Sequence, residues 1–576
     1  MPGHNPDIAQ KLDDVADLLE LDNGNPFRVR AYRNAARVIR GLGTEVDVML
    51  KRGDDLSELP GIGKDLAGKI QTIAKTGRLP LLDQLHRAIP AIATDLLKLP
   101  GMGPKRVNIL CHELDIHTLE QLHRALLDGR VRALPGFGRI TEERLRQALE
   151  AQAKAPPSRL KLALAESYVE PLVAWLRGAP HVEAVIVAGS YRRRQETVGD
   201  IDVLVTSLHG GPVVKRFTEY DEVDKILARG GTRATVVLKS ALQVDLRVVP
   251  PRSYGSALHY FTGSKAHSIA IRRLGQQRGL KINEYGVFRK DRRIGGETEE
   301  DVFRTVGLPY IPPELRENRG EIEAATAGRL PRLIELADLR GDLHAHTTAT
   351  DGQNTLAEMS RTARAQGFEY LAITEHSKRL TMAHGLDSRH LLRQAEEIDR
   401  FNATNTGITI LKGIEVDILE DGKLDLPDAT LGHLDLVVAA VHSHFNLSRE
   451  KQTERVLRAM ERPHFTIFAH PTGRLIGERE PYDVDMARII TAAKQRGCFI
   501  ELNAHPDRLD LSDVHCRLAK EAGVPVSIAT DAHRAEELAN RRFGVFQARR
   551  GWLEKNDVLN TRRLAALRPL LARTMR

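Results

Sequence analysis

Cysteine is scarce in this 576-residue chain: there are three, Cys111, Cys498 and Cys516. So few, so widely spaced, exclude a disulfide framework and a zinc ribbon. No apolar run reads as a signal peptide or a membrane span, which predicts a reducing cytoplasm and no membrane partner. Nor is there a strong charge of one sign, since the net charge is +8. The small excess is unevenly placed: 23 basic against 21 acidic residues in 1–155, 28 against 22 in 156–335, and 34 against 34 beyond. A polyanion would therefore lie on the middle of the chain. This length excludes a single hydrophobic core and predicts three or four domains.

Histidines and carboxylates gather at the ends of short apolar runs in the last third. The runs are 339–346, 370–376, 410–417, 434–442, 465–470, 499–503 and 526–533; each closes on a polar residue, and helix-like stretches follow the first six. Short apolar runs alternating with helices spell parallel β/α units. Barrels of such units carry their chemistry at the C-terminal strand ends, where His344, His346, Asp351, His376, Glu415, His442, His470, Asp531 and His533 fall. Residues i and i+2 of a strand share a face, so His344 with His346, and Asp531 with His533, can hold one ion together. One histidine at a strand end is usually an ordinary polar residue, but nine such groups at successive ends describe a polymetal hydrolase site. Imidazole mixed with carboxylate suits zinc, manganese or iron, whereas calcium and magnesium prefer oxygen alone. A bridging Glu415 between ions would suit hydroxide formation at neutral pH and the clamping of a phosphate.

Residues 338–576 resemble the polymerase-and-histidinol-phosphatase (PHP) family. The resemblance implies a distorted (β/α)7 barrel and three ions, Mn2+ or Zn2+. One would take His344, His346, Glu415 and Asp531, a second Glu415, His442 and His470, and a third Asp351, His376 and His533. Asn503 and Arg508 would face the substrate, while His444 and His505 are extra histidines near the rim.

The middle segment carries Gly189-Ser190-Tyr191-Arg192-Arg193, then Asp200-Ile201-Asp202, then Asp245 in Gln243-Val244-Asp245-Leu246-Arg247. Asp200 and Asp202 alternate on a strand and point the same way. With a third carboxylate from a neighbouring strand they can hold two Mg2+ ions for nucleotidyl transfer. Gly189 and Ser190 precede a basic turn whose amides and hydroxyl would grip a triphosphate, with Arg193 neutralising charge. A lone Asp-x-Asp occurs on many solvated turns; its spacing from Gly-Ser and from a further strand aspartate makes the signal strong.

These motifs resemble the palm of family X DNA polymerases. The likeness extends to Tyr260-Phe261-Thr262-Gly263-Ser264 and to Ile282-Asn283-Glu284-Tyr285-Gly286. It implies that Tyr260 and Phe261 exclude a ribose 2'-hydroxyl, that Gly263 belongs to the nucleotide site and that Arg272 reaches the template side. Ser268 stands where that family has a nucleotide-contacting asparagine, which puts minor-groove checking there in doubt.

Upstream, one motif recurs as Leu59-Pro-Gly61-Ile-Gly63, Leu99-Pro-Gly101-Met-Gly103 and Leu134-Pro-Gly136-Phe-Gly138, each between helix-like stretches. A Gly-x-Gly turn opening a helix offers backbone amides to a phosphate without reading a base. One copy could be a helical turn that merely needs glycine. Three copies beside a polymerase palm resemble helix-hairpin-helix DNA-binding motifs. Asn25-Pro-Phe-Arg28-Val-Arg30-Ala-Tyr32-Arg33 resembles the start of the family's lyase domain, in which Lys69 holds the position of a Schiff-base lysine. That role requires a lowered lysine pKa.

The division expected is a lyase-like helical domain (1–80), a helix-hairpin-helix fingers region (81–155), a palm (156–250), a thumb-like subdomain (251–318), a linker (319–337) and the barrel (338–576). The resemblance implies a bacterial, nucleoid-associated arrangement acting as a monomer on gapped or nicked duplex DNA and deoxynucleoside triphosphates. The polymerase would fill short gaps in repair, and the barrel would be a 3'-5' exonuclease, abasic-site nuclease or 3'-phosphatase. Two rival readings make the polymerase half a DNA-positioning module for a nuclease, or the barrel a metal-stabilised scaffold.

Overall fold

Helical periodicity fills the first part of the chain, and the structure is helical there. It is a computed structural model that describes residues 5–21, 25–42, 45–88, 96, 102, 104–114, 116, 119–139, 141–146 and 159–576. Met1–Pro156 and Pro157–Arg576 form two separate compact units.

The first unit contains α1 (Asn5–Leu21), α2 (Pro26–Arg40), α3 (Val46–Arg52), α4 (Lys64–Thr76), α5 (Pro80–Ala88), α6 (Pro104–Glu113) and α7 (Leu119–Leu127). Helix α2 starts where it does because the Asn25 side chain accepts from the Phe27 N–H and Pro26 needs no hydrogen-bond acceptor in the first turn. One face of α2, with Val29, Tyr32, Ala35, Ala36 and Ile39, is buried with Ile8, Leu12 and Val15 of α1 in a common core. Each large aliphatic side chain in that core contributes roughly 1.5–3 kcal/mol.

In the second unit α8 (Leu162–Arg177) packs on a five-stranded sheet of β1 (Ala184–Val187), β2 (Asp200–Thr206), β3 (Val223–Arg229), β4 (Arg233–Leu238) and β5 (Gln243–Val249), ordered β1-β2-β5-β4-β3. Strands β2 and β5 are parallel and the other pairs antiparallel. Helices α9 (Tyr254–Thr262) and α10 (Lys265–Gln277) and a three-stranded antiparallel sheet over residues 280–295 complete the palm and thumb.

The barrel strands are β6 (Gly341–Asp342), β7 (Tyr370–Ile373), β8 (Thr409–Lys412), β9 (Glu415–Asp417), β10 (Val438–Ala440), β11 (Ile467–Phe468), β12 (Phe499–Asn503) and β13 (Val526–Ala529), all paired in parallel. The run 410–417 is two strands, because the chain breaks at Gly413-Ile414 and each half pairs with a different sheet. Bridges at His376↔Glu415 and Ala345↔Ala532 join the two sheets. At the other strand ends the buried Asn560 side chain bonds the Gly341 carbonyl and both backbone groups of Ile528, tying first strand to last.

Within 319–337, expected as a linker, the first turn is packed while 326–329 and 335–337 are exposed. Glu321 is fully buried against His267 at 2.7 Å, and Ile322 and Ala325 join the thumb core. A buried carboxylate needs such a partner, which fixes the segment in place. Palm and barrel also share a core: Ile476, Leu509 and Phe543 of the barrel pack in the palm cluster. Ion pairs Lys161–Asp507 (2.6 Å), Arg474–Glu196 (2.7 Å) and Arg542–Glu166 (2.7 Å) cross the same junction.

Candidate active sites

In the palm the parallel register sets Asp202 opposite Asp245 and Asp200 opposite Gln243, so the three carboxylates share one face. Asp245 accepts from Thr235 Oγ1 at 2.5 Å and from Gln243 Nε2 at 2.8 Å. Burial, with Asp200 and Asp245 beside it, pushes Asp202 up to about 7 against the pull of Arg193 and Arg247. Carboxylates that repel one another in this way call for cations between them, and an all-oxygen set fits Mg2+.

Gly189 has φ +60°, and a Cβ there would come within 2.4 Å of Asp202 Oδ2. Only glycine lets the turn Gly189–Arg192 approach the triad so closely. Ser190, half-buried, follows on that turn. Arg193 is held by Glu317 Oε1 (3.0 Å) and by the Thr262 carbonyl (2.8 Å), and among the described residues nothing accepts from its Nη2. Tyr260 is 38% exposed and meets Phe261 edge to face at 5.1 Å, and Arg247 lies over Phe261 at 5.7 Å. Gly263 caps α9, and Arg272 Nε bonds the Ser268 carbonyl at 3.3 Å. Ser268 is buried, with its hydroxyl enclosed beside Gly263.

In the barrel the nine predicted groups converge. Glu415 lies at the centre: its Oε2 is 3.5 Å from His344 Nε2, 3.7 Å from His346 Nε2 and 2.7 Å from His376 Nδ1. Its Oε1 is 3.2 Å from His442 Nε2 and 2.8 Å from His470 Nε2. Asp531 Oδ1 is 3.1 Å from His346 Nε2 and 3.5 Å from His344 Nε2. Asp351 Oδ2 lies 3.3 Å from His376 Nε2 and 3.4 Å from His533 Nε2. His346 and His376 each sit between two of these groupings.

The buried atoms His344 Nε2, His346 Nδ1, His376 Nδ1 and Glu415 Oε2 make no hydrogen bond. Buried ring nitrogens and a carboxylate oxygen crowded together without hydrogen bonds fit divalent cations among them. The electrostatics agree. Against the cost of burial, Glu501, Asp531 and Glu415 hold His344 well above its ordinary value. Against the same cost, Glu415 and Asp351 raise His376 to about 10. Burial next to His376 pushes His346 down to about 3. The carboxylates thus demand positive charge at their centre, which divalent ions would supply.

Four supporting groups went unread in the sequence. Glu501 Oε1 is 2.6 Å from His344 Nδ1, and Asp417 Oδ1 is 3.2 Å from His442 Nδ1. Each fixes an imidazole with Nε2 turned to the centre. Buried Asp342 accepts from Thr530 and the His344 N–H, and Arg455 bonds the carbonyls of Ile418, Leu419 and Ser443 beside two ligand strands. Asn503 Nδ2 reaches Asp531 at 3.1 Å, and Arg508 Nε stands 3.8 Å from the same carboxylate. His444 and His505 pair loosely with Glu420 and Asp507 and stay out of the cluster.

In the first unit, the first and third glycine turns match bond for bond. Ile62 N–H donates to Leu59 and Ala67 N–H to Gly63, as Phe137 does to Leu134 and Glu142 to Gly138. Gly61 and Gly136 have φ +77° and +80°. Gly101 and Gly103 lie outside the described residues. Lys69 has its ammonium 2.6 Å from Asp65 and over the Tyr32 ring at 5.4 Å. Partial burial works against the charge, but Asp65 and Tyr32 outweigh it and raise the pKa, the reverse of what a Schiff-base lysine needs. Among the described residues no helix is long and apolar enough to cross a membrane.

A two-carboxylate strand faced by a third aspartate, in one unit with a histidine-lined barrel, defines a polymerase-type nucleotidyltransferase joined to a PHP-type metal site. Similarity to known proteins follows the same division. Residues 3–79 match a helix-hairpin-helix domain, 93–151 a helix-hairpin-helix tandem, 167–246 the DNA polymerase beta palm, 257–317 its thumb and 342–505 the PHP domain. The chain is 38% identical to the DNA polymerase/3'-5' exonuclease PolX of Bacillus subtilis, over 99% of its own length and 100% of that protein's. It is 24% identical to rat DNA polymerase lambda over 54% of the chain and 56% of that protein. It is also 30% identical to a probable phosphatase of Thermoanaerobacter sp. over 38% of the chain and 89% of that protein. The chain belongs to the PolX family, the family X DNA polymerases that carry a C-terminal PHP domain.

Proposed function

We propose that this chain is a DNA polymerase that fills short gaps during repair and, through its barrel, a metal-dependent phosphoesterase that trims or cleans the 3' end it then extends. The observation that supports the reading is the convergence of these side chains: Asp202 opposite Asp245 in the palm, and Glu415 within 3.5 Å of His344, His376, His442 and His470 in the barrel. The substrates are gapped or nicked duplex DNA and deoxynucleoside triphosphates, and the acting form is a monomer.

In the palm, Gly189 and Ser190 present backbone amides and a hydroxyl to the triphosphate, and Arg193 Nη2 takes one of its oxygens. Tyr260 and Phe261 close on the sugar and exclude a 2'-hydroxyl, while Arg272 reaches the template. Asp245, steadied by Thr235 and Gln243, lies nearest the primer hydroxyl. Asp200, Asp202 and Asp245 would hold Mg2+, which would supply charge neutralisation and a more acidic 3'-hydroxyl.

In the barrel, Asn503 and Arg508 flank Asp531 and orient the scissile phosphate. Glu501 and Asp417 hold the rings of His344 and His442 against rotation. His344, His346, Glu415 and Asp531, then Glu415, His442 and His470, and then Asp351, His376 and His533 would hold three ions, Mn2+ or Zn2+, which would supply Lewis acidity and charge for phosphate hydrolysis. Hydrolysis leaves a 3'-hydroxyl, the group the palm requires. Backbone amides at Gly61, Gly63, Gly136 and Gly138 hold DNA phosphates without sequence preference.

The test follows a 5'-labelled primer on a gapped duplex with Mn2+, with and without nucleotides. Asp245→Ala is expected to abolish lengthening alone and His344→Ala shortening alone, each by roughly a thousandfold or more. Shortening that survives His344→Ala would remove the nuclease from the barrel.

A further inference from the structure

Arg550 belongs to a barrel helix, α11 (Arg541–Arg550), yet it grips the palm and thumb. Its Nη1 donates to the backbone carbonyl of Arg193 at 2.9 Å and to Glu317 Oε1 at 3.1 Å, and its Nη2 to Asp513 at 2.7 Å. The side chain is 4% exposed. Glu317 in turn accepts from Arg193 Nε at 3.0 Å and from Gln195 Nε2 at 2.6 Å. Arg319 holds Asp513 from the other side at 2.6 Å. One barrel guanidinium therefore fixes Arg193 twice, through its carbonyl directly and through Glu317 at its side chain. Arg193 directly follows the turn whose Gly189 abuts Asp202.

We propose that Arg550 is a positioning residue for the incoming nucleotide's triphosphate, so that the barrel serves nucleotidyl transfer as well as its own hydrolysis. The inference rests on reading the palm as a polymerase. Glu317 is a largely enclosed carboxylate, 14% exposed, bonded by two arginines. With both present it is satisfied, and Arg193 keeps Nη2 for a phosphate. Without Arg550 the same carboxylate leans harder on Arg193, with the Gln195 amide and the charge of Arg319 as its other support, because a largely enclosed charge left short of partners is unfavourable. Arg193 would then be drawn toward Glu317, and a phosphate would have to compete for it. Loss of the bond to the Arg193 carbonyl frees the backbone of the turn as well. Both effects weaken nucleotide binding more than the chemical step.

The experiment uses the full chain on a one-nucleotide gap, varying the nucleotide at saturating DNA. Hydrolysis of bis(p-nitrophenyl) phosphate and thermal melting are measured alongside. Arg550→Met is expected to raise KM for the nucleotide about tenfold with kcat changed less than about twofold and diester hydrolysis unchanged. Arg550→Lys keeps the charge but cannot reach all three partners, and should fall between. If the Met variant does not fold, the Lys variant decides: a raised KM with normal hydrolysis supports the proposal, and an unchanged KM overturns it. A raised KM accompanied by proportional losses of hydrolysis and melting temperature also overturns it, since that is a general structural defect. A parent protein that hydrolyses the diester but adds no nucleotide sinks the polymerase reading, and this inference with it.

Discussion

The palm and barrel sites solve one problem, holding divalent ions against a phosphate, with different materials. The palm offers three carboxylates and no histidine; Asp200 is exposed, and Asp202 and Asp245 are half-buried. Its support is two neutral hydrogen bonds to Asp245. The barrel offers imidazoles around Glu415, with His344, His346 and Glu415 at most 1% exposed, and carboxylates behind the rings. An open, oxygen-only set suits an ion that arrives with its nucleotide and leaves with pyrophosphate. A buried imidazole set with braced rings suits ions that stay. Within the barrel the same contrast recurs, since Asp351 and His533 are about a third exposed and form the mouth of the site.

Chelation tests this contrast most severely. Brief EDTA treatment followed by desalting should abolish gap filling until Mg2+ is returned, while diester hydrolysis persists and metal analysis still finds ions bound. Of the barrel groups, the set at Asp351 and His533 should empty first. Simultaneous loss of both activities would break the distinction between a visiting and a resident metal.

A smaller effect sharpens it. Glu501→Gln keeps the shape but removes the charge behind His344 Nδ1, and should lower hydrolysis or metal affinity about 10- to 100-fold. Gap filling should be unchanged, which checks that the fold survives. No loss of hydrolysis would mean that the His344 ring is held by packing alone.

The barrel ligands were legible because each ends an apolar run, and a strand's period of two fixes its facing. The groups behind them were not. Glu501 and Asp417 also lie on strands, but nothing in Glu501-Leu502-Asn503 or Glu415-Val416-Asp417 tells which carboxylate meets an ion and which meets a ring nitrogen. That is decided by pairing between strands far apart in sequence. The split at Gly413 escaped notice for the same reason: one apolar run serves two sheets. The packed head of 319–337 was not legible because a charged stretch looks solvated until its partner is known, and the partner of Glu321, His267, is 54 residues away. At Lys69 the opposing signal was local. Asp65 precedes it by one helical turn, a spacing that favours an ion pair and opposes a low pKa. Borohydride trapping on abasic DNA should therefore show little adduct at Lys69 near neutral pH, with Lys69→Ala no different from the parent.

The smallest predicted effect lies in the palm. Thr235 stands across the antiparallel pair from Asp245, and its hydroxyl donates to Oδ1 at 2.5 Å. Gln243 holds the other oxygen. A neutral hydrogen bond to a carboxylate that remains half-solvated is worth about 1 kcal/mol, since water can replace the hydroxyl. Thr235→Val, which keeps the branched shape the strand needs, should lower kcat for gap filling about threefold and leave KM for the nucleotide nearly unchanged. Glu501→Gln in the barrel should cost far more, because there the partner is charged and no water can take its place. If Thr235→Val proved as damaging as Glu501→Gln, the palm triad would be as tightly braced as the barrel. Its openness would then be a matter of solvent access only, and the lifetime of a bound metal could not be read from how its ligands are supported.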